Sequence, residues 1–171
     1  MRKSILIVFL LMAATLTGRA QNFALIDMEY ILKHIPAYES ANQQMEQASK
    51  QWQSEIDKLA QQAKSMYEDY QKNASTLTDT QRNAKEKAIV DKETELAELR
   101  RKYFGPQGEM GKMQEQLMRP IQDEIYNAVK DIATELGLAV VTDRASAQSI
   151  IFASPDIDIS DEVLARLGYA N

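Results

Sequence analysis

The residues able to do chemistry in this chain are few. Its 171 residues include no cysteine and a single histidine, His34. That leaves no thiolate ligand, disulfide or cysteine nucleophile, and no set of imidazoles for a zinc site or an acid–base pair. Three other constellations invite a chemical reading. Asp156, Asp158 and Asp161, in Pro155-Asp-Ile-Asp-Ile-Ser-Asp161, have the composition of calcium ligands. The run lacks the central glycine and closing glutamate of a calcium loop, so helix capping and solvated loop acids account for it better. Arg100-Arg101-Lys102 is the one basic cluster, and three consecutive helical residues point in three directions, as a solvated face does. Gly105-Pro106-Gln107-Gly108 puts a proline where a phosphate cradle needs a backbone N–H. No catalytic residue, metal ligand or cofactor site is expected, and His34, beside Pro36 in a connector, reads as a surface residue.

The elements that carry these residues begin after a targeting segment. Arg2 and Lys3 precede an apolar run from Ile5 to Leu16, and Gly18-Arg19-Ala20 offers small residues to a signal peptidase. Residues 1–20 therefore read as a signal peptide cut after Ala20, since the run is too short for the ~20 residues that span a bilayer. No later apolar run approaches that length, so no integral membrane segment is expected after cleavage. Loss of Arg2, Lys3 and Arg19 takes the basic count from 20 to 17 against 25 acids, a net charge of −8. That balance argues against nucleic acid as a partner. With 44% apolar and 26% charged residues the chain is neither disordered nor a bulk membrane protein. Its six glycines and four prolines are too few for a loop-rich β-sandwich.

Phe23-Ala-Leu-Ile-Asp27 is a short apolar run ended by an acid, the pattern of a buried strand. A brief helical stretch over 28–35 follows, and Pro36 marks a break. Then comes a long helix. Tyr38, Ala41, Met45, Ala48, Trp52, Ile56, Leu59, Ala63, Met66 and Tyr70 are spaced 3-4-3-4-4-3-4-3-4, a heptad seam with one stutter. At 1.5 Å per residue, residues 37–72 would make a rod about 54 Å long, and a rod with one apolar stripe needs a partner helix. Residues 73–80 are polar and turn-like, with Thr78 or Thr80 placed to cap a new helix. The second seam runs through Ile89, Leu96, Leu99, Tyr103, Met110, Met113 and Leu117 to Ile121, Ile125, Val129, Ile132 and Leu136. Its seven-residue spacing passes through Gly105-Pro106, which predicts a local break with the register restored, and Pro120 predicts a second bend. Gly137 should end the helix. Residues 138–142 and 149–153 then read as two further strands, and Ser160 or Asp161 as the cap of a final short helix.

The fold class read here is α+β, mostly α: a long antiparallel helical hairpin on a small β body. Residues 37–136 form the hairpin, with its tip near 73–80. Residues 21–36 and 137–171 form a β-rich body too small to stand alone, for which association of several chains is the natural remedy. Tyr67, Leu77, Val90, Phe104 and Met118 are apolar yet lie off the seams. They suit a surface that holds varied apolar chains, or else they pack against a neighbouring arm. The segment from Lys72 to Lys102 carries eight basic and six acidic residues, so charge is mildly positive there and negative elsewhere.

Three motifs in order resemble the Skp/OmpH family of periplasmic chaperones. They are Phe23-Ala-Leu-Ile-Asp-Met-Glu-Tyr-Ile-Leu32, then Pro120-Ile-Gln-Asp-Glu-Ile-Tyr-Asn-Ala-Val-Lys-Asp-Ile-Ala133 leading into Gly137-Leu-Ala-Val-Val-Thr-Asp143, and finally Asp158-Ile-Ser-Asp-Glu-Val-Leu164. The Gly-Pro pair and Pro120 are similar to the form of the family found in Bacteroidetes. The resemblance implies a homotrimer whose strands join in a central barrel, here through Phe23, Leu25, Ile26, Leu138, Val140, Val141, Ile150 and Ile151. It implies an ATP-independent holdase in the periplasm, with no cofactor and with unfolded outer-membrane β-barrel proteins as its partners. Tyr67, Leu77, Val90, Phe104 and Met118 would be the client-binding residues. The best-known members are basic, whereas this mature chain is acidic, so electrostatic client capture and lipopolysaccharide binding are not carried over. The alternative is a structural or adaptor coiled-coil protein of the cell envelope that binds one folded partner.

Overall fold

The structure, a computed structural model, describes residues 23–147 and 149–169. The expected signal peptide and its cleavage after Ala20 lie outside the described residues. The element order is β1 (Phe23–Ile26), α1 (Met28–Lys33), α2 (Pro36–Asn73), a 3₁₀ turn (Ala74–Thr76), α3 (Asp79–Phe104), α4 (Glu109–Leu136), β2 (Val140–Asp143), a second 3₁₀ turn (Pro155–Ile157) and α5 (Ser160–Leu167). Two compact units result among the described residues: an arm of residues 35–123 and a body of residues 23–34, 124–147 and 149–169. The division falls inside α4, so its last turns cluster with the body, whose second part the sequence places from 137 onward.

The arm forms because two apolar stripes find each other. Every one of the ten seam positions on α2 is buried or half-buried, with Ala41, Ile56, Leu59 and Ala63 fully covered. On the returning helix Ile89 and Tyr103 are covered in the same way. The turn between them is closed by chemistry legible in the sequence. Thr78 Oγ1 accepts from the Gln81 N–H at 3.3 Å while Gln81 Oε1 accepts from the Thr78 N–H at 3.0 Å, a reciprocal capping box. Polar ties cross the hairpin as well: Lys85 pairs with Asp69, and the Tyr70 hydroxyl donates to Glu86.

The break at Gly105–Gly108 separates α3 from α4, and the seam resumes with Met110 half-buried. Gly105 is in extended conformation (φ −68°, ψ 172°), as a residue before proline must be. Its glycine identity is a matter of space, because a Cβ there would stand 2.4 Å from the Arg101 carbonyl oxygen. At Gly108 a Cβ would stand 2.7 Å from the Tyr103 carbonyl oxygen. Pro120 sits on the exposed side of α4, and the helix continues through it.

The body is built on a parallel pair, with Phe23 opposite Val140 and Ile26 opposite Asp143. Ala24, Leu25 and Ile26 are buried with Ile31, Ile125, Ala128, Ile132, Ile159, Val163 and Leu164. The α4 stripe ends at Ile132, since Leu136, expected to continue it, is 60% exposed. Gly137 then closes the helix in left-handed conformation (φ 66°), with the Leu138 N–H reaching the Ala133 carbonyl at 2.8 Å.

Two expectations are corrected. The strand expected over 149–153 does not form; the segment is irregular. The outer edge of β1 is taken by another segment, since Leu25 bridges to Asp158 and the Ile159 N–H donates to the Leu25 carbonyl at 2.9 Å, and residues 149–153 do not pair with the outer edge of β2 either. The start of α5 is held by neither Ser160 nor Asp161. Ile159 occupies the N-cap position and has no side-chain cap, while Asp158 Oδ1, one residue earlier, accepts from the Ser160 N–H at 3.0 Å. Among the described residues no helix is long and apolar enough to cross a membrane.

Candidate functional site: exposed apolar surfaces on arm and body

In the body the acidic side chains serve local structure, and of the three singled out in the sequence Asp156 accepts from the Ser154 hydroxyl at 3.1 Å. Asp27 caps α1 by accepting from the Tyr30 N–H at 2.9 Å. Asp143 Oδ1 accepts from the N–H groups of Met28 and Ala145, both at 3.0 Å. Burial pushes the Asp143 carboxyl up, but the N–H of Met28 and the groups of Ser146 and Ala145 that donate to it outweigh this. The carboxyl is held below its usual range. Arg144 spans Asp27 (3.0 Å) and Asp158 (3.3 Å), tying the end of β1 to the segment that leads into α5. Ser160, buried, donates to Asp158 at 2.6 Å and accepts from the Asp27 N–H at 2.7 Å.

Tyr30 donates to Asp161 at 2.9 Å, and that bond holds its phenol above the usual range. His34 Nδ1 donates to the Tyr30 carbonyl at 2.8 Å. Asp27, Tyr30, Arg144, Asp158 and Asp161 line a shallow polar recess of about 320 Å³. Every charged group in it is already paired or capped. Among the described residues no group of three or more His, Asp or Glu is placed to hold a metal ion.

Apolar exposure is the feature that polar pairing leaves over. In the body, Ile151 is 99% and Phe152 85% exposed, and Val140 at the strand edge is 53% exposed. Phe23 is 38% exposed. Of the other residues expected at an interface between copies, Leu138, Val141 and Ile150 are half-buried. Leu25 and Ile26 are already covered by the chain's own core, where the 158–159 bridge lies against β1. Phe152, absent from the expected set, is the larger exposed surface.

On the arm, Tyr67, Val90 and Phe104 stand exposed outside a filled seam. Leu77 and Met118 are half-buried, so they offer less surface than their off-seam positions predict. Trp52 stacks on Tyr103 with ring centroids 5.0 Å apart and planes 8° from parallel, and it meets Phe104 edge-on at 6.1 Å. The Tyr103 hydroxyl donates to Glu55, which holds its phenol above the usual range. Sequence reasoning placed Trp52 and Tyr103 in separate stripes and missed this cluster. The two residues are equally far from the turn near Leu77, and that symmetry is the signal by which it could have been found. Arg100, Arg101 and Lys102 are all exposed, and Lys102 Nζ lies 5.1 Å from the Tyr103 ring centroid.

Comparison with known proteins agrees with this architecture. Residues 22–167 match the family model described as outer membrane protein (OmpH-like). The protein named chaperone protein Skp from Yersinia enterocolitica is 25% identical over 158 residues, which span 92% of this chain and 93% of that one. A crystal structure from Caulobacter crescentus CB15, described as an OmpH-like outer membrane chaperone, matches with a TM-score of 0.66. It covers 88% of this chain and 85% of its own at 12% identity, a likeness of fold alone. Sequence and fold converge, and the chain belongs to the OmpH-like family of Skp-type chaperones.

Proposed function

We propose that this protein is exported to the periplasm, assembles as a homotrimer through its bodies, and holds unfolded outer-membrane β-barrel proteins without ATP so that they do not aggregate. The observation that carries the reading is the pairing of a filled seam with leftover apolar surface. Tyr67, Val90 and Phe104 remain exposed on an arm whose own stripe is already satisfied. Such residues can touch an apolar chain weakly at many points, and many weak contacts retain a client while no single bond must break for release. The family supports the chaperone class. In the body, Phe23, Val140, Ile151 and Phe152 supply apolar surface for contact between copies.

The test is an aggregation assay on several unrelated urea-unfolded β-barrel proteins without nucleotide, run beside light scattering. Suppression for most clients and a mass near three chains are expected. The double variant Tyr67→Ser, Val90→Ser should weaken suppression several-fold with the mass unchanged. Suppression of none, or a single-chain mass at micromolar concentration, would overturn the reading; capture of one folded partner would instead favour an envelope adaptor.

A further inference from the structure

The break between α3 and α4 is weakly held by its own backbone. Pro106 has no N–H to give, and the turn is closed by three bonds. These run from the Gly105 N–H to Arg101 O (2.9 Å), from the Gly108 N–H to Gly105 O (2.9 Å), and from the Lys112 N–H to Gly108 O (3.2 Å). The two glycines let the chain pass close to the last turn of α3, yet space for a tight turn does not by itself hold the turn shut. Immediately before it, however, α3 ends in two consecutive aromatic residues, Tyr103 and Phe104, and both engage Trp52 on the opposite helix. The Tyr103 hydroxyl adds a bond to Glu55, one turn further along α2.

We propose that Trp52, Glu55, Tyr103 and Phe104 form a latch that makes Gly105–Gly108 a fixed joint while the rings are engaged and a hinge once they part. The placement favours a latch over ordinary core. Tyr103 is covered, but Trp52 is half-buried and Phe104 is 41% exposed. Trp52 and Phe104 thus stand at the margin of the seam, whereas Ile56, Leu59 and Ile89 are fully covered. The magnitudes suit reversible opening. Each ring pair biases the closed form roughly two- to tenfold, and a hydroxyl–carboxylate bond biases it by roughly tenfold more. The closed form then outweighs the open one by roughly a hundredfold, enough to dominate and little enough to open transiently.

The chain contains one tryptophan, so the emission of Trp52 reads the stack directly, and amide hydrogen exchange reads the joint. The amides of Gly105, Gly108 and Lys112 should be protected in the wild-type chain. Trp52→Ala should cost them roughly ten- to a hundredfold in protection, while the amides of Lys85 and Glu86 near the tip keep theirs. Tyr103→Ala should also shift Trp52 emission to the red. Free exchange of the three amides in the wild type would overturn the proposal, and so would unchanged protection in Trp52→Ala. If Trp52→Ala loosens the tip as well, Tyr103→Phe decides. It keeps the rings and removes only the bond to Glu55. A local loss of roughly three- to tenfold supports the latch, and no loss overturns it.

Discussion

The arm and the body solve the same problem in opposite ways. Both must cover apolar residues with few neighbours available. The arm succeeds within one chain: its stripe folds back on its own continuation, and all ten seam positions on α2 are at least half covered. The body does not. Its two-stranded sheet fills one face, yet Ile151 and Phe152 stand almost fully in solvent. The polar contacts divide along the same line. On the arm most ion pairs join residues three or four apart, such as Lys50 with Glu46 and Lys87 with Asp91, and exposed pairs of that kind contribute little. In the body Arg144 ties Asp27 to Asp158, and Arg166 makes a paired contact with Glu135 at 2.9 and 2.6 Å. A helical stripe can be satisfied by any second stripe of the same period. A strand-like apolar segment needs a sheet edge in register, and among the described residues 149–153 pair with none.

The sharpest way to break the contrast is to charge the body's uncovered segment. Ile151→Asp with Phe152→Asp should abolish the proposed assembly, leaving a light-scattering mass of one chain while far-UV helicity stays unchanged. A mass unchanged from that of the wild-type chain would mean that the segment is not the contact. Next in size is a cut into the arm's covered stripe. Ile56→Ala should cost the arm about 2–4 kcal/mol, read as a lower urea midpoint at unchanged slope. Val90→Ala, on the exposed face, should stay within about 0.5 kcal/mol, and equal losses would erase the distinction between filled seam and free surface. The smallest effect concerns pH. Because the folded-state Asp143 carboxyl is held low, its contribution is complete above the unfolded value near 3.9 and is lost as pH falls through the folded value. Amide protection at Met28 and Ala145 should therefore decline below about pH 4, and Asp143→Asn should flatten that decline.

The arm was legible because a 3-4 spacing repeated over ten positions leaves no other element that could bury it, and because Thr78 and Gln81 stand at the spacing of a capping box. The body was legible only in part. Ser149-Ile-Ile-Phe-Ala153 has a strand's composition, but composition cannot say whether an edge is free to receive it. The edge of β1 went to Asp158 and Ile159 through hydrogen bonds to Leu25, and nothing in that acidic stretch has the look of a pairing partner. Arg144 was passed over for a similar reason, since its two carboxylates are remote in sequence. Of the off-seam apolar residues, Tyr67, Val90 and Phe104 are exposed as their helical phase predicts. Leu77 lies in the turn and Met118 near the flank of the stripe, where phase decides less.

The parallel pairing of β1 with β2 has a further consequence, for the order of events in folding. The contacts that close the body join residues 115, 117 and 133 positions apart: Met28 with Asp143, Arg144 with Asp27, and Asp27 with Ser160. Contacts of such separation form late, because the loop they close is expensive until something shortens it. The hairpin between them is built from near neighbours and can zip outward from its tip. The first strand in the sequence is therefore the last to find its partner, and the whole arm must be made while Phe23–Ile26 waits unpaired.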